Sequence, residues 1–281
     1  MKFWKMNGAG NDFLIIDNTV ENIPPDKLPE IVSTLCERHL GIGADGFMVV
    51  ENASGKYDAD YRMVFYNSDG SIGEMCGNGA RCICRYGYEN GMAGETQRVE
   101  TDAGLVTGVR ISGSEYEVRL NDPCNFRFDE VIEFEREEFK CSYVELGNPG
   151  VPHAVVNIEG LRDYDDEKLL RIGRFLRYHE TFPKGANINF YEKIGEDRFY
   201  EKTYERGVED FTYACGTGTG SLVSILTLKG EASGKAVKVE MRGGELEINL
   251  DVSYGNIKNI FLKGPTNIVC KGEVTDENII I

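Results

Sequence analysis

Hydrophobic and polar positions alternate along this chain with two different periods. Short runs rich in β-branched and aromatic residues, bounded by turn-forming residues, predict strands at 61–66, 116–120 and 238–241. Apolar residues three and four positions apart predict helices over 28–39 and 167–179. Each half is expected to contain strands, a helix, more strands, a second helix and a final hairpin, which is an α+β pattern.

Four segments recur in the second half in the same order and at similar spacing. CGNGA at 76–80 resembles CGTGT at 215–219, an offset of 215 − 76 = 139. The other matches are VETDAG at 99–104 with VEMRGG at 239–244, GND at 10–12 with GNP at 147–149, and GADGF at 43–47 with GANINF at 185–190. An ordered repeat of this kind indicates duplicated units. We therefore predict two homologous domains, residues 1–125 and 126–281, with the boundary near the charged stretch 126–140.

The charge balance excludes some classes of partner. The chain has 31 Lys and Arg against 47 Asp and Glu, a formal net charge of −16. Nucleic acids and anionic membranes need a positive footprint, so neither is expected as a partner. The sequence contains no apolar run near the roughly 20 residues that span a bilayer, and its start lacks the signal-peptide pattern. We expect a cytoplasmic protein whose eight cysteines are reduced and mostly buried.

The two Cys-Gly segments are the clearest candidates for chemistry. Each reads as a glycine turn opening a helix, over 77–89 and 217–229. Free N–H groups and the helix dipole at such a start bind carboxylates and are expected to lower a cysteine pKa. A lone cysteine is usually a core residue, but two in equivalent places of a repeat point to function. Cys76 and Cys215 are therefore predicted to remove and return a proton on opposite faces of one carbon.

A set of segments spread nearly end to end resembles the diaminopimelate epimerase family. The segments are KMNGAGNDF at 5–13, FYNSDGS at 65–71, CGNGAR at 76–81, NPGVPH at 148–153, GANIN at 185–189, YERG at 204–207 and ACGTG at 214–218. The resemblance implies two pseudo-symmetric α+β domains, each a β-sheet wrapped around a central helix, with the active site in the cleft between them. It also implies that the last strand, about 263–281, packs with the N-terminal domain.

The same resemblance implies an isomerase that interconverts LL- and meso-diaminopimelate in lysine and peptidoglycan precursor biosynthesis. It implies no pyridoxal phosphate, no other cofactor, no metal and a homodimer. Cys76 and Cys215 match the acid–base pair, and His153 and Glu205 match polar residues beside the thiols. The positions that match substrate-binding groups are Asn11, Asn67, Gly77, Asn78, Asn148, Asn187, Glu205, Arg206, Gly216 and Thr217. Asparagine offers both a donor and an acceptor, and arginine binds a carboxylate bidentately.

Departures from the family pattern leave the substrate open. Phe211 replaces a frequent acidic residue, Tyr213 replaces a small aliphatic one, and Lys184 stands where arginine is common. An aromatic residue at either of the first two positions is expected to repack the site. The main alternative is therefore a related cofactor-independent racemase of another amino acid. The asparagines together with Arg206 favour a substrate with a second charged end.

Two further readings come from other classes of protein. A non-enzymatic thiol or zinc-binding protein needs metal-ligand spacing, and Cys82 and Cys84 are too close for a usual zinc knuckle. An isomerase of the same fold that has lost the thiols conflicts with the presence of both Cys76 and Cys215.

Overall fold

The computed structural model describes residues 1–73, 76–147 and 149–276. In the first part of the chain the elements are β1 (Lys2–Gly8), β2 (Asn11–Asp17), α1 (Asn18–Glu21), α2 (Leu28–Cys36), β3 (Gly46–Glu51), β4 (Tyr61–Asn67), α3 (Gly77–Glu89), β5 (Thr96–Thr101), β6 (Gly104–Arg110) and β7 (Glu115–Arg119). The remaining elements are β8 (Pro123–Phe134), β9 (Glu137–Gly147), β10 (Gly150–Asn157), α4 (Asp166–Arg177), β11 (Asn187–Gly195), β12 (Arg198–Tyr204), α5 (Gly216–Leu228), β13 (Val237–Met241), β14 (Gly244–Ser253), β15 (Asn256–Pro265) and β16 (Asn267–Glu273).

The chain divides into two compact units. Unit 1 comprises 1–118 together with 264–281, and unit 2 comprises 119–263. Strands of unit 1 lie in the order β16-β1-β2-β3-β4-β5-β6-β7, and those of unit 2 in the order β8-β9-β10-β11-β12-β13-β14-β15. The boundary predicted after residue 125 falls inside β8, and the charged stretch 126–140 forms most of the β8–β9 hairpin.

The strands of the two units repeat the same sequence of directions. From β16 in unit 1, successive neighbours pair antiparallel, antiparallel, parallel, antiparallel, parallel, antiparallel and antiparallel. From β8 in unit 2 the series is identical. The α+β class with two pseudo-symmetric halves is therefore confirmed.

Strand β16 is the counterpart in unit 1 of strand β8 in unit 2. It pairs antiparallel with β1 at the edge of that sheet, the place that β8 takes beside β9 in unit 2. The C-terminal strand β16 therefore supplies the neighbour of β1 in unit 1. The segment 267–273 packs in unit 1.

Two kinds of helix cover the sheets. Helix α5 packs against strands β8 to β11 and β14, and α3 packs against β1, β2 and β6. Residues 218–226 of α5 are all buried, which marks it as the central helix of unit 2. Helices α2 and α4 bury one apolar stripe each against β3–β4 and β11–β12. Within the described ranges, the helices fall short of the length and apolarity that crossing a membrane requires.

The predicted elements lie close to the observed ones. Helix α3 covers the predicted residues 77–89, and α5 begins at Gly216, one residue before the prediction. Helix α2 ends at Cys36 rather than at residue 39. Of the cysteines predicted to be buried, Cys270 is exposed on β16 and Cys124 is partly exposed.

Candidate active site

Cys76 is the N-cap of central helix α3. Its backbone is extended, with φ −114° and ψ 118°, and the helix begins at the next residue. The Gly79 N–H donates to the Cys76 Sγ at 3.5 Å, while the Cys76 carbonyl accepts from the Ala80 N–H at 2.8 Å. A sulfur atom thus takes the position that a serine or aspartate oxygen takes in an ordinary N-cap. The first predicted thiol stands at the positive end of a 13-residue helix.

Cys215 repeats this arrangement at the start of α5. Its backbone is also extended, with φ −124° and ψ 103°. The Gly218 N–H donates to the Cys215 Sγ at 3.3 Å, and the Thr217 Oγ1 lies 3.5 Å from that sulfur. Only glycine fits at 218, because a Cβ there would lie 2.3 Å from the Asn189 Oδ1. The second turn therefore packs directly against a buried strand side chain.

The proton affinity of Cys215 differs from the sequence-based expectation. Burial raises the pKa of this thiol well above its usual value, and the negative charge of Glu205 acts in the same direction. Hydrogen bonds from Thr217 and the Gly218 N–H lower the pKa, but they do not offset burial. The expected lowering by the helix N-terminus is therefore wrong for Cys215, because loss of hydration outweighs the helix end. Cys215 is a neutral thiol in this state.

A buried arginine backs the first turn. Arg81 is fully buried in α3, where its Nη2 donates to the Asn78 Oδ1 at 2.9 Å and its Nη1 to the Gly77 carbonyl at 3.4 Å. Burial lowers the pKa of this guanidinium to about 10, while the Coulomb interactions with Cys82 and Cys76 raise it. The group remains a cation at neutral pH. The two thiol turns therefore have opposite electrostatic surroundings, a cation in unit 1 and carboxyl groups in unit 2.

Two of the predicted substrate-binding residues of unit 1 are connected to each other. The Asn78 amide donates to the Asn11 Oδ1 at 2.6 Å, and Asn11 in turn donates to Asp45 at 3.4 Å. Asn78 is buried, whereas Asn67 is exposed at the end of β4, where its amide donates to the Ser71 Oγ at 2.9 Å. Asn11 and Asn78 thus belong to one network behind the first turn.

Residues of unit 2 form a second network. The Asn187 Oδ1 accepts from the Arg206 backbone N–H at 2.8 Å, and its amide donates to the Pro152 carbonyl at 3.2 Å. Arg206 is exposed, with its Nη1 donating to the Lys184 carbonyl at 3.2 Å. Thr212 donates to the Glu205 carboxylate at 2.8 Å. Asn148, also predicted to bind substrate, lies outside the described residues.

His153 is fully buried on β10 beneath the second turn. Its Nδ1 lies 3.1 Å from the Asn189 Nδ2, which donates, so the ring proton stands on Nε2. Burial lowers the pKa of His153 to about 3, so the ring is neutral throughout the physiological range. The Nε2 atom has no hydrogen-bond partner among the described residues. His153 is therefore a neutral imidazole at physiological pH.

Two residues beside the second turn, Asn189 and Glu201, were missed in the sequence. Asn189 contacts the Gly218 position and accepts from Thr203 at 3.1 Å, while Glu201 bonds Thr219 at 2.7 Å. Asn189 stands within the GANIN segment, two residues after Asn187, so the motif itself pointed to it. Glu201 occupies an inward position of the alternating strand β12, where a charged residue is unusual.

The departures from the family pattern have structural explanations. Phe211 packs edge-on against Phe190 and Tyr204, with ring centroids 6.3 and 6.1 Å apart, in the core beneath α4. Its partly buried aromatic side chain therefore packs against the core of unit 2. Tyr213 is 46% exposed, and the Arg242 guanidinium stacks 4.4 Å from the centre of its ring. Of the two aromatic residues, only Tyr213 presents its ring to solvent.

Comparison with known proteins supports the same relationship. A family model described as diaminopimelate epimerase matches residues 3–123 and 146–269. The diaminopimelate epimerase of Aquifex aeolicus (strain VF5) is 38% identical over 285 residues, which covers 99% of each chain. That of Hydrogenobaculum sp. (strain Y04AAS1) is 36% identical over 284 residues, again covering 99% of each chain.

A solved structure agrees in fold. A probable proline racemase from Agrobacterium radiobacter K84 superposes with a TM-score of 0.69 over 98% of this chain and 92% of its own, at 16% identity. At that identity the likeness concerns the fold alone. The family model and the full-length relatives establish more, and the predicted relationship is confirmed: the chain belongs to the diaminopimelate epimerase family.

Proposed function

We propose that this chain is a cofactor-independent isomerase that converts LL-diaminopimelate into meso-diaminopimelate by proton transfer between Cys76 and Cys215. The observation that carries the proposal is the pair of equivalent N-caps, in which a sulfur accepts from the third helical N–H at the start of each central helix. Membership of the diaminopimelate epimerase family supports the choice of substrate.

The proton transfers balance without a cofactor. The Cys76 thiolate removes the α-proton, so that a C–H bond breaks and an S–H bond forms. The Cys215 thiol then donates its proton to the opposite face of the carbon and becomes a thiolate. The reverse reaction uses the same groups with exchanged roles, as general acid–base catalysis requires.

The surroundings of the two sulfurs support this starting state. Burial and neighbouring carboxyl groups keep Cys215 protonated, which suits the acid. The buried Arg81 cation bonds the Gly77 and Asn78 groups of the first turn and favours a negative charge on Cys76. Opposite protonation of two chemically identical groups is what a two-base inversion needs before substrate enters.

The helix starts are suited to the carboxylate at the reacting carbon. Backbone N–H groups of Gly77, Asn78, Gly216 and Thr217 belong to the first turns of α3 and α5, where helices bind anions. We expect Asn78 to bind through its backbone, since its side chain already bonds Asn11 and Arg81.

The other predicted residues are assigned to the distant end of the substrate and to its amino groups. Arg206 is exposed, and Asn187 fixes its backbone, so its guanidinium is suited to the distal carboxylate. Asn11, Asn67, Asn148 and Glu205 carry the amide and carboxylate groups that bind ammonium. We further propose that His153 supports the second turn through Asn189, without exchanging a proton.

The wider setting is part of the same proposal. An epimerase of this class acts on a small amino acid in lysine and peptidoglycan precursor biosynthesis, so we place the protein in the cytoplasm. The net charge of −16 supports the absence of nucleic-acid and anionic-membrane partners. A homodimer is proposed from the family resemblance.

Purified protein offered a panel of amino acids tests the function. We expect α-proton exchange with LL- and meso-diaminopimelate and none with proline or hydroxyproline. Cys76→Ala and Cys215→Ala should each abolish epimerisation, whereas Cys270→Ala, on the exposed strand β16, should retain it. Activity on another amino acid but not on diaminopimelate would leave the two-thiol chemistry standing and refute the substrate. Full activity of Cys215→Ala would refute the chemistry.

A further inference from the structure

Beneath the second thiol turn lies a polar pair that the proposed reaction does not use. The Thr219 Oγ1 lies 2.7 Å from the Glu201 Oε2 and 3.0 Å from the carbonyl oxygen of Cys215. Glu201 is only 2% exposed, and its other oxygen, Oε1, has no hydrogen-bond partner among the described residues. A carboxyl group is therefore held inside unit 2, one side chain away from the catalytic N-cap.

The number of hydrogens at Thr219 limits the protonation of this group. A threonine hydroxyl carries one hydrogen, yet two oxygens lie within bonding distance of it. If Glu201 were ionised, the Thr219 hydroxyl would be its sole hydrogen-bond donor among the described residues, and a carboxylate would be buried with little compensation. If Glu201 is protonated, its O–H donates to the Thr219 Oγ1, whose O–H donates to the Cys215 carbonyl. The second arrangement satisfies both contacts with the hydrogens available.

We propose that Glu201 is a neutral carboxylic acid that positions the Cys215 turn through Thr219 and keeps a negative charge away from the second thiol. This inference deepens the proposed function and rests on it. Glu201 is a positioning residue, because it acts through Thr219 and does not touch the reacting atoms.

The charged and titratable neighbours agree with a neutral acid. Burial raises the pKa of Glu201 to about 8, the Glu205 charge adds to the rise, and the Thr219 hydrogen bond opposes it. On β11 the residue opposite Glu201 is Tyr191, whose hydroxyl donates to Glu231 at 3.3 Å. His153 on β10 is neutral, and the Cys215 thiol is protonated.

Strand β13, on the other side of β12, contributes buried apolar side chains. These are Val237, Val239 and Met241. Strand β13 therefore presents neutral side chains beside β12, and the charge that raises the pKa of Glu201 further is that of Glu205, which follows β12.

The first half of the repeat lacks this pair. In the equivalent parallel strand pairs, Tyr61 pairs with Val99 and Phe199 pairs with Val239. The offset between Tyr61 and Phe199 is 199 − 61 = 138, so Met63 is the residue of the first half that is equivalent to Glu201. The 139-residue offset of the cysteines places Ala80 at the position of Thr219. Both Met63 and Ala80 are buried and apolar. The fold therefore does not require Glu201 and Thr219, and the pair is specific to the Cys215 side.

Ionisation of Glu201 would change the second turn. Loss of its proton would place a negative charge behind Cys215, and Thr219 would turn its single hydrogen from the Cys215 carbonyl to the carboxylate. The charge would also oppose binding of the substrate carboxylate at the start of α5. We therefore expect epimerase activity to fall as pH rises through the pKa of Glu201. The fall should approach about tenfold per pH unit if the ionised form is inactive.

Glu201→Gln and the pH dependence of kcat/KM test this assignment. Glutamine remains neutral, and its amide can donate to Thr219, so activity at pH 7 should persist and the alkaline fall should move upward by about one pH unit or more. Glu192→Gln, a partly exposed change on β11, should keep the wild-type profile. Thr219→Ser should also behave as wild type. Thr219→Val should lose activity at every pH, and the fall of kcat/KM at alkaline pH should not move upward. An unchanged alkaline limb in Glu201→Gln would overturn the proposal.

A second measurement is independent of substrate. In ¹³C-carboxyl NMR of the glutamate-labelled chain, the resonance missing from Glu201→Gln should titrate near pH 8. The Glu145 resonance, identified with Glu145→Gln, should titrate below the usual range, because Lys184 and Tyr143 donate to that buried carboxylate. Titration of Glu201 in the ordinary acidic range would overturn the inference whether or not diaminopimelate is the substrate. A wild-type chain inactive on diaminopimelate would refute the proposed function, while this titration would still decide the protonation of Glu201.

Discussion

Replacing Glu201 by glutamine should change how the stability of the protein depends on pH. The pKa of Glu201 is raised from 4.5 to about 8 by burial. The folded chain therefore holds this proton more tightly than the unfolded chain does. Stability contributed by the protonated form is fully present below the unfolded pKa and is lost as pH rises through the folded pKa. Glutamine does not titrate and shows no such loss.

The size of the effect follows from proton linkage. Between about pH 5 and pH 8 the wild-type free energy of unfolding should fall, relative to Glu201→Gln, by up to about 1.4 kcal/mol per pH unit. Urea denaturation of both proteins at a series of pH values, followed by circular dichroism, measures this difference. Because all other groups are shared, their titration cancels in the comparison.

Glu145→Gln is the matched control for the direction in which stability changes with pH. Its carboxylate is also buried, but Lys184 and Tyr143 hold the pKa of Glu145 below its usual value. The variant should therefore show no growing advantage over wild type between about pH 5 and pH 8. A constant free-energy difference between wild type and Glu201→Gln across that range would refute the buried neutral acid.

Three further predictions test the thiol turns and the core. Gly218→Ala should reduce kcat by about 100-fold, since the new Cβ would lie 2.3 Å from the buried Asn189 Oδ1. Gly79→Ala should reduce kcat less, because the nearest atom to its new Cβ lies 3.5 Å away. Steady-state kinetics compares the two variants. Phe211→Ala should lower the free energy of unfolding by about 2 kcal/mol in urea denaturation, with an unchanged KM for diaminopimelate, because its ring packs in the core. Arg81→Met should slow alkylation of Cys76 by iodoacetamide at neutral pH, since the buried cation favours the thiolate.

Much of the fold follows from local patterns in the sequence. The glycine turns after Cys76 and Cys215, each followed by a run without proline, predict both central helices. The ordered repeat predicts two similar halves, and the matching strand directions bear this out. The β8–β9 hairpin is not predicted from the sequence, because the charged residues within 126–140 hide the alternation typical of a strand. Most side chains of β8 are at least partly exposed.

The electrostatics of the site is less accessible from sequence. A helix N-terminus predicts a lowered cysteine pKa, but burial of Cys215 depends on β-strands distant in the chain and reverses the direction. In the sequence, Glu201 is one charged residue among several on a predicted strand. In the structure it occupies a buried position of β12 and contacts Thr219. Burial and register are set by contacts between distant segments, and the spacing of residues along the chain does not specify them.

The stereochemical fate of solvent deuterium tests the two-thiol account most directly. LL-diaminopimelate is incubated with the enzyme in D₂O, and both stereoisomers are analysed by mass spectrometry at low conversion. The acid thiol carries deuterium from solvent and the base takes the substrate proton, so newly formed meso-diaminopimelate should contain one α-deuterium. Recovered LL-diaminopimelate should still contain protium. Deuterium entering the recovered substrate as fast as it enters the product would indicate a single base and contradict the assigned roles of Cys76 and Cys215.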